Sequence, residues 1–279
     1  MTASPTRTRP SKSSGLSYHS ASYWNHRFIT DPRESSGFEW LSSSTSLLSL
    51  LTTSPAPLLL RDPPIHILHI GVGTSSLSLD ILKYWRQQFP ADWMYRAKNI
   101  VNVDFSPNSV DFQRRAECQW LGEIGEDGDV ELMEYRIVDL LDWHQVESVL
   151  GQGEPFDLVL DKSTTDSIST GEDTAFTCIK GDTHHPSLLQ LARSKIGVVG
   201  GVATTQVLGI HLSSIVKPDG LWYCHSYSSD RWDDVISPSE AAAADIWPWK
   251  QTDKTSVAVE SSDPNAPLIN HYIYTMQRS

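Results

Sequence analysis

A glycine-bearing segment, Gly71-Val72-Gly73-Thr74-Ser75, follows directly on a short β-branched run, and three later runs of the same kind end at Asp104, Asp139 and Asp161. Glycine lets the backbone turn sharply and lets a ligand come close to the start of a helix. A carboxylate at the end of the second run can accept hydrogen bonds from both hydroxyls of a ribose. One run later, Asp139 is placed to accept from the amino group of an adenine. One acid at a strand end is ordinary, but three in register with a glycine loop define a candidate site. The dinucleotide fingerprint needs a third glycine where Ser76 stands, and Asp104 lies 28 residues beyond that serine, against a usual spacing of about 20. The chain also lacks GxxxxGK[ST], the triphosphate loop. The pattern suits an adenosine ligand without a pyrophosphate.

Alternating strands and helices must hold these residues. Ile65–Ile70 reads as a buried strand bounded by Pro64 and Gly71, and Thr74–Phe89 as a helix with Leu77, Ile81, Leu82 and Trp85 on one face. Strand Asn99–Val103 leads to a helix over Pro107–Leu121, with proline favoured in its first turn. After the turn at 122–129 come strand Glu131–Val138, a short helix Trp143–Leu150 and strand Phe156–Leu160. A polar insertion runs from Lys162 to about Lys195. Ile196–Val216 reads as a helix and Gly220–Ser226 as a fifth strand. The strands Thr255–Glu260 and Asn270–Met276, joined by a turn-rich SSDPNAP segment, form an antiparallel hairpin. A helical segment over Phe38–Leu51 and a four-proline connector at 52–64 precede the first strand. Successive β-α steps predict an α/β fold, a doubly wound and mostly parallel sheet with helices on both faces. Ligands of such sheets bind beyond the carboxyl ends of the strands.

Composition narrows the function classes. Among 279 residues, 34 Asp and Glu against 22 Lys and Arg give a net charge of -12. That balance argues against nucleic acid, whose phosphates require basic partners, and favours basic ones through steering. Cys118, Cys178 and Cys224 show no CxxC spacing, and His184-His185 has no third ligand at metal spacing, so no metal is expected. No apolar run reaches the roughly 18 residues of a membrane helix; the run 196–212 is interrupted by Thr204, Thr205 and Gln206. Residues 1–22 contain no acid and are rich in Ser, Thr, Pro, Arg and Lys, which predicts a flexible tail. The same texture describes a mitochondrial transit peptide, but Pro5 and Pro10 break the helix such a peptide forms. A cytoplasmic, monomeric protein with one domain over 23–279 is therefore expected, with a mitochondrial location as the alternative.

Four segments together resemble the class I S-adenosylmethionine-dependent methyltransferases, which carry a seven-stranded sheet ending in an antiparallel hairpin. They are Tyr23-Trp24-x-x-Arg27-Phe28, Ile70-Gly71-Val72-Gly73-Thr74-Ser75, Val101-Asn102-Val103-Asp104-Phe105-Ser106 and Phe156-Asp157-Leu158-Val159-Leu160-Asp161-Lys162. The first and last of these narrow the likeness to the group that includes the lysine methyltransferases of translation elongation factor 1A. The resemblance implies S-adenosylmethionine as cofactor. It places Gly71, Gly73 and Thr74 against the methionine part, Asp104 and Phe105 at the ribose, and Asp139 with the Leu140 backbone at the adenine. It also implies that Tyr23, Trp24 and Arg27 close over the site, Arg27 pairing with the cofactor carboxylate. Asp161 would contact the cofactor and, with Asp166, orient the acceptor amine or pass its proton to water. The chain departs from the group at Asp161-Lys162-Ser163-Thr164, where Asp-Lys-Gly-Thr is usual, and in the long segment after it. It also lacks (Asp/Asn)-Pro-Pro-(Tyr/Phe) at that strand end. A protein substrate with an exposed lysine, elongation-factor-like, is the first reading. A small-molecule acceptor, with 163–194 as a lid, and a non-catalytic cofactor-binding module are the alternatives; a hydride-transferring enzyme is the least favoured.

Overall fold

A computed structural model of the chain describes residues 16–53, 57–127, 130–236, 246–259 and 269–279. Helices α1 (Ala21–Thr30), α2 (Pro32–Ser35) and α3 (Thr45–Thr53) precede strand β1 (Ile67–Ile70). Helices α4 (Leu77–Gln88) and α5 (Trp93–Ala97) lead to β2 (Ile100–Asp104), and α6 (Pro107–Glu123) leads to β3 (Glu134–Ile137). After α7 (Trp143–Gln145), which continues as one π turn over Val146–Leu150, come β4 (Phe156–Lys162) and α8 (Thr164–Ile168). A two-stranded ribbon of β5 (Thr174–Ala175) and β6 (Gly201–Val202) encloses α9 (Pro186–Ser194). Helix α10 (Thr204–Ser213), β7 (Val216–Ser226), α11 (Asp233–Ile236), β8 (Trp249–Ala258) and β9 (Asn270–Arg278) complete the chain.

The main sheet has the order β3-β2-β1-β4-β7-β9-β8. Its first five strands are parallel, and β9 inserts antiparallel between β7 and β8. This is the mostly parallel seven-stranded sheet with a C-terminal antiparallel pair that the sequence resemblance implies. Alternation along each strand divides the core between the two faces. On one face Ile67, Leu158, Leu160 and Tyr223 pack on Leu47, Leu51, Leu77, Ile81 and Trp85. On the other, Leu68, Ile70, Val159 and Trp222 pack on Val146, Leu208, Leu212 and Trp232. Since β1 and β4 are covered on both faces, they read as continuous apolar runs rather than alternating ones.

The structure changes several expected bounds. The helix expected over 196–216 spans only Thr204–Ser213, because Gly200 and Gly201 feed the ribbon instead. The segment 162–195 is not a simple polar insertion. His185 caps α9, its Nδ1 accepting from Ser187 N, and Pro186 occupies the first turn. The apolar face so formed buries Leu188 and Leu191 with Phe176, Ile179, Val202, Val207 and Ile210 in a core of their own. Trp247 and Trp249 are packing residues: Trp249 Nε1 donates to Gly209 O, and Trp247 stacks near Trp232. Of the expected 1–22 tail, residues 1–15 lie outside the described residues, whereas Tyr18 packs edge-on against Tyr23 and Trp40. The SSDPNAP segment, residues 261–267, also lies outside the described residues.

Candidate active site

Beyond the carboxyl ends of β1, β2, β4 and β7 lies a cavity of about 370 Å³. Its wall combines the glycine loop (Gly71, Gly73), the end of β2 (Asp104, Phe105), the end of β4 with α8, and rings from Tyr18, Trp24, Phe28, Trp40 and Tyr227. The parallel sheet puts the strand ends on one edge, as a doubly wound sheet requires, and the N-terminal segment adds the rings of Tyr18, Trp24, Phe28 and Trp40.

The two glycines have positive φ, +54° at Gly71 and +50° at Gly73, but different neighbours. A Cβ on Gly71 would stand 2.1 Å from Thr164 Oγ1, which donates to Ile70 O, so this glycine admits helix α8. A Cβ on Gly73 would meet nothing nearer than Phe28 at 3.8 Å, so this glycine leaves room at the cavity. The loop is held from α6, where Gln113 Nε2 donates to the carbonyls of Gly73 and Ser75.

Asp104 is buried at the end of β2. Its Oδ2 accepts from Gly73 N and Ser109 Oγ, both at 3.0 Å, and its Oδ1 accepts from Ser106 N at 2.9 Å. Burial pushes its carboxyl up, against these donors. Oδ1 keeps a lone pair for a further donor, so the carboxylate is equipped to take a ribose hydroxyl. An open Gly73, this acceptor and a wall of aromatic rings fit S-adenosylmethionine, whose sulfonium is attracted by ring faces.

Asp139 and Leu140 stand at the same sheet edge but outside the cavity. Asp139 is exposed, and its Oδ1 accepts from Leu141 N within its own turn. Leu140 is buried, and its carbonyl accepts from His211 Nδ1. Thr74 is likewise off the wall: its Oγ1 donates to Glu34 and accepts from Phe38 N, fastening the N-terminal segment to the glycine loop. Trp24 lines the cavity, whereas Tyr23 and Arg27 do not. Arg27, expected on the cofactor carboxylate, pairs with buried Glu34 at 2.6 Å and with Asp31 at 3.2 Å. Its guanidinium lies 4.9 Å from the centre of the Trp40 ring.

The two expected catalytic carboxylates stand in different places. Asp161 is fully buried beneath α8 and accepts from Thr164 N, Thr165 N and Thr165 Oγ1; it caps that helix and is not on the wall. Burial raises its carboxyl to about 6. Asp166 does line the cavity, as a buried residue. It accepts from Ser226 Oγ and Tyr227 N and pairs with Arg231. Burial pushes Asp166 up, with Arg231 opposing.

Several wall residues carried no role in the sequence reading. Lys162, buried on the wall, pairs with Glu39, which also accepts from Ser75 Oγ and from Ser76 N at the start of α4. Burial lowers the Lys162 ammonium, and Glu39 raises it. Tyr18, Phe28, Trp40, Leu41, Ser167, Thr170 and Tyr227 complete the wall. Nothing in sequence spacing joins Trp40 to Ser163, 123 positions on; only the replacement of a customary glycine by Ser163 was a signal. Among the described residues, no group of three or more His, Cys, Asp or Glu could hold a metal ion. Among them also, no helix is long and apolar enough to cross a membrane.

No protein-family model matches the chain. The chain is 27% identical over 259 residues to methyltransferase srdJ of Neurospora crassa, covering 92% of this chain and 82% of that protein. Among solved structures, it is similar to one described as the conversion of a disulfide bond into a thioacetal group during echinomycin biosynthesis. The TM-score there is 0.50 with 12% identity, covering 92% of each chain, which is a likeness of fold. A SAM-dependent methyltransferase from Anabaena variabilis aligns with a TM-score of 0.48 and 13% identity, covering 95% of this chain and 96% of that one.

Proposed function

We propose that this protein is an S-adenosylmethionine-dependent methyltransferase whose acceptor is a small molecule held among the rings of the cavity. The observation that carries the reading is one ring-lined cavity shared by Gly73, the buried Asp104 carboxylate and the end of β4. Likeness to a curated methyltransferase along most of both chains supports the methyltransferase part of it. When bound, S-adenosylmethionine supplies a methyl group on a sulfonium, already attached to a good leaving group.

The protein therefore mainly orients and excludes water. Asp104 holds hydroxyls through Oδ1, and Gly73 leaves the room they need. Trp24 Nε1 donates to Tyr18 O and Ser167 Oγ, so the N-terminal rings are tied to α8 across the cavity. Ser106 Oγ, donating to Asn25 Oδ1, fastens α1 to the start of α6. Two ionic groups of the wall are already matched, Lys162 by Glu39 and Asp166 by Arg231. Such a wall suits a neutral or weakly polar acceptor better than a charged one, because Asp166 is held by Arg231 and Asp104 is committed to Gly73 N, Ser106 N, Ser109 Oγ and a ribose hydroxyl.

A second reading is methylation of a protein lysine, elongation-factor-like. The YWxxRF and FDLVLDK segments and the net charge of -12 favour it, since an acidic surface steers a basic substrate.

One experiment separates the readings. The protein and its Asp104→Ala variant are incubated with methyl-labelled S-adenosylmethionine and extract lacking the native enzyme. Label in the small-molecule fraction, absent with the variant, supports the first reading. A labelled protein band replaces it with the second. Cofactor binding with label in neither fraction would turn the assignment towards a non-catalytic binding module.

A further inference from the structure

Among the described residues, two donors on the cavity wall have no protein partner. Trp40 Nε1 and Ser163 Oγ are buried atoms without a hydrogen bond, although both residues line the cavity. A buried polar group left unpaired is costly, and the cavity is the space from which an acceptor can reach both. Ser163 carries a second cost. It is a non-glycine residue at φ +71°, in the left-handed region. Its N–H is satisfied by His225 O, so the strain brings the backbone no bond that glycine would not also make. Local strain kept in a ligand site points to a function for the side chain. On the same wall, Lys162 brings a buried ammonium, held by Glu39, the chain neighbour of Trp40. Indole N–H and ammonium can only donate, and a hydroxyl can. A cluster of donors with no free acceptor selects an oxyanion. The cation expected to meet a carboxylate, Arg27, is occupied by Glu34 and Asp31 beside the Trp40 ring.

We propose that Trp40 Nε1 and Ser163 Oγ, backed by Lys162, bind the carboxylate at the amino-acid end of the cofactor, in place of Arg27. The proposal rests on the methyltransferase reading above. An acceptor oxyanion would offer the same chemistry, so the test must separate the two sources.

The ligands are S-adenosylhomocysteine, which has the amino-acid end, and 5′-methylthioadenosine, which keeps the nucleoside and thioether but lacks that end. Binding is measured by calorimetry for the full chain and for Trp40→Phe, Ser163→Ala and Ser163→Gly. Phenylalanine keeps a ring in the wall, and glycine relaxes the positive φ, so Ser163→Gly should melt no lower than the parent. Each variant should bind S-adenosylhomocysteine about tenfold or more weakly, the scale of one lost hydrogen bond to a charged group. Methylthioadenosine should bind parent and variants within about twofold of each other. Unchanged S-adenosylhomocysteine affinity would overturn the proposal and leave the donors to an acceptor oxyanion. Equal weakening of both ligands would overturn it too, as damage to the pocket. If the parent bound neither ligand, the methyltransferase reading itself would fail.

Discussion

Replacing Gly71 by alanine tests whether the glycine loop is shaped by the protein's own packing or by a ligand. Two penalties add at this position. A left-handed φ of +54° costs an L-residue about 1–2 kcal/mol. The new Cβ would also lie 2.1 Å from Thr164 Oγ1 and 2.7 Å from Thr164 Cγ2, closer than side chains tolerate. Thr164 must then swing away and lose its bond to Ile70 O, at about 1–3 kcal/mol if that carbonyl stays buried and unpaired. Gly71→Ala should therefore cost about 2–5 kcal/mol. Gly73→Ala, at φ +50° but with its nearest neighbour 3.8 Å away, should cost only the backbone share, about 1–2 kcal/mol. Urea unfolding followed by far-UV circular dichroism measures both. In a Thr164→Ala background the clash with Oγ1 and Cγ2 disappears, so the Gly71→Ala penalty should shrink by about 1 kcal/mol or more in a double-mutant cycle. Equal costs at the two glycines, or a Gly71→Ala cost indifferent to Thr164, would refute this account of the loop.

Asp104→Asn keeps the shape but replaces an acceptor oxygen by a donor amide beside Gly73 N, Ser106 N and Ser109. Its affinity for S-adenosylhomocysteine should fall at least about tenfold, read by calorimetry. Asp166→Asn leaves Arg231 buried without its counter-ion and should destabilise by about 3 kcal/mol, while Asp166→Asn with Arg231→Met should recover much of that in urea unfolding. Acidification should destabilise the fold. Burial holds His69 and His225 at about 3 and His211 at about 4, against about 6.5 when unfolded. The stability these neutral rings contribute is present above about pH 6.5 and lost as pH falls below it. Asp161, raised to about 6, acts the other way, its contribution being complete only below the unfolded carboxylate range and lost as pH rises through 6. From these four groups alone, near pH 5 the unfolded chain should hold about two more protons, a slope of about 3 kcal/mol per pH unit. Urea midpoints from pH 7.5 to 5 measure it, and His225→Phe should flatten the slope by about one proton.

Local signals were enough for the framework. Apolar runs of four to seven residues closed by glycine or aspartate marked β1, β2 and β4, and their order implied one sheet edge carrying Gly71, Gly73 and Asp104. Proline at the first turn marked α6. Strand bounds shifted where pairing, not composition, ends a strand: β7 begins at Val216 because it is the partner of Phe156. The segment 162–195 was misread because its core, Phe176 with Leu188, Leu191, Val202 and Ile210, joins residues scattered over 35 positions.

The sequence by itself determined the sheet, the glycine loop and the acid that ends β2, since each depends on a residue and its near neighbours. The tertiary structure decided which polar groups were free. Arg27 and Thr74 had the right types for a cofactor site, yet Glu34 holds both. Asp161 had the right place on its strand, yet α8 folds onto it and takes its carboxylate. Trp40 and Ser163, far apart in sequence, are two donors that folding leaves without partners on the cavity wall among the described residues. A hydrogen-bonding group serves a ligand only if the protein does not satisfy it first, and that depends on what folding brings within 3 Å.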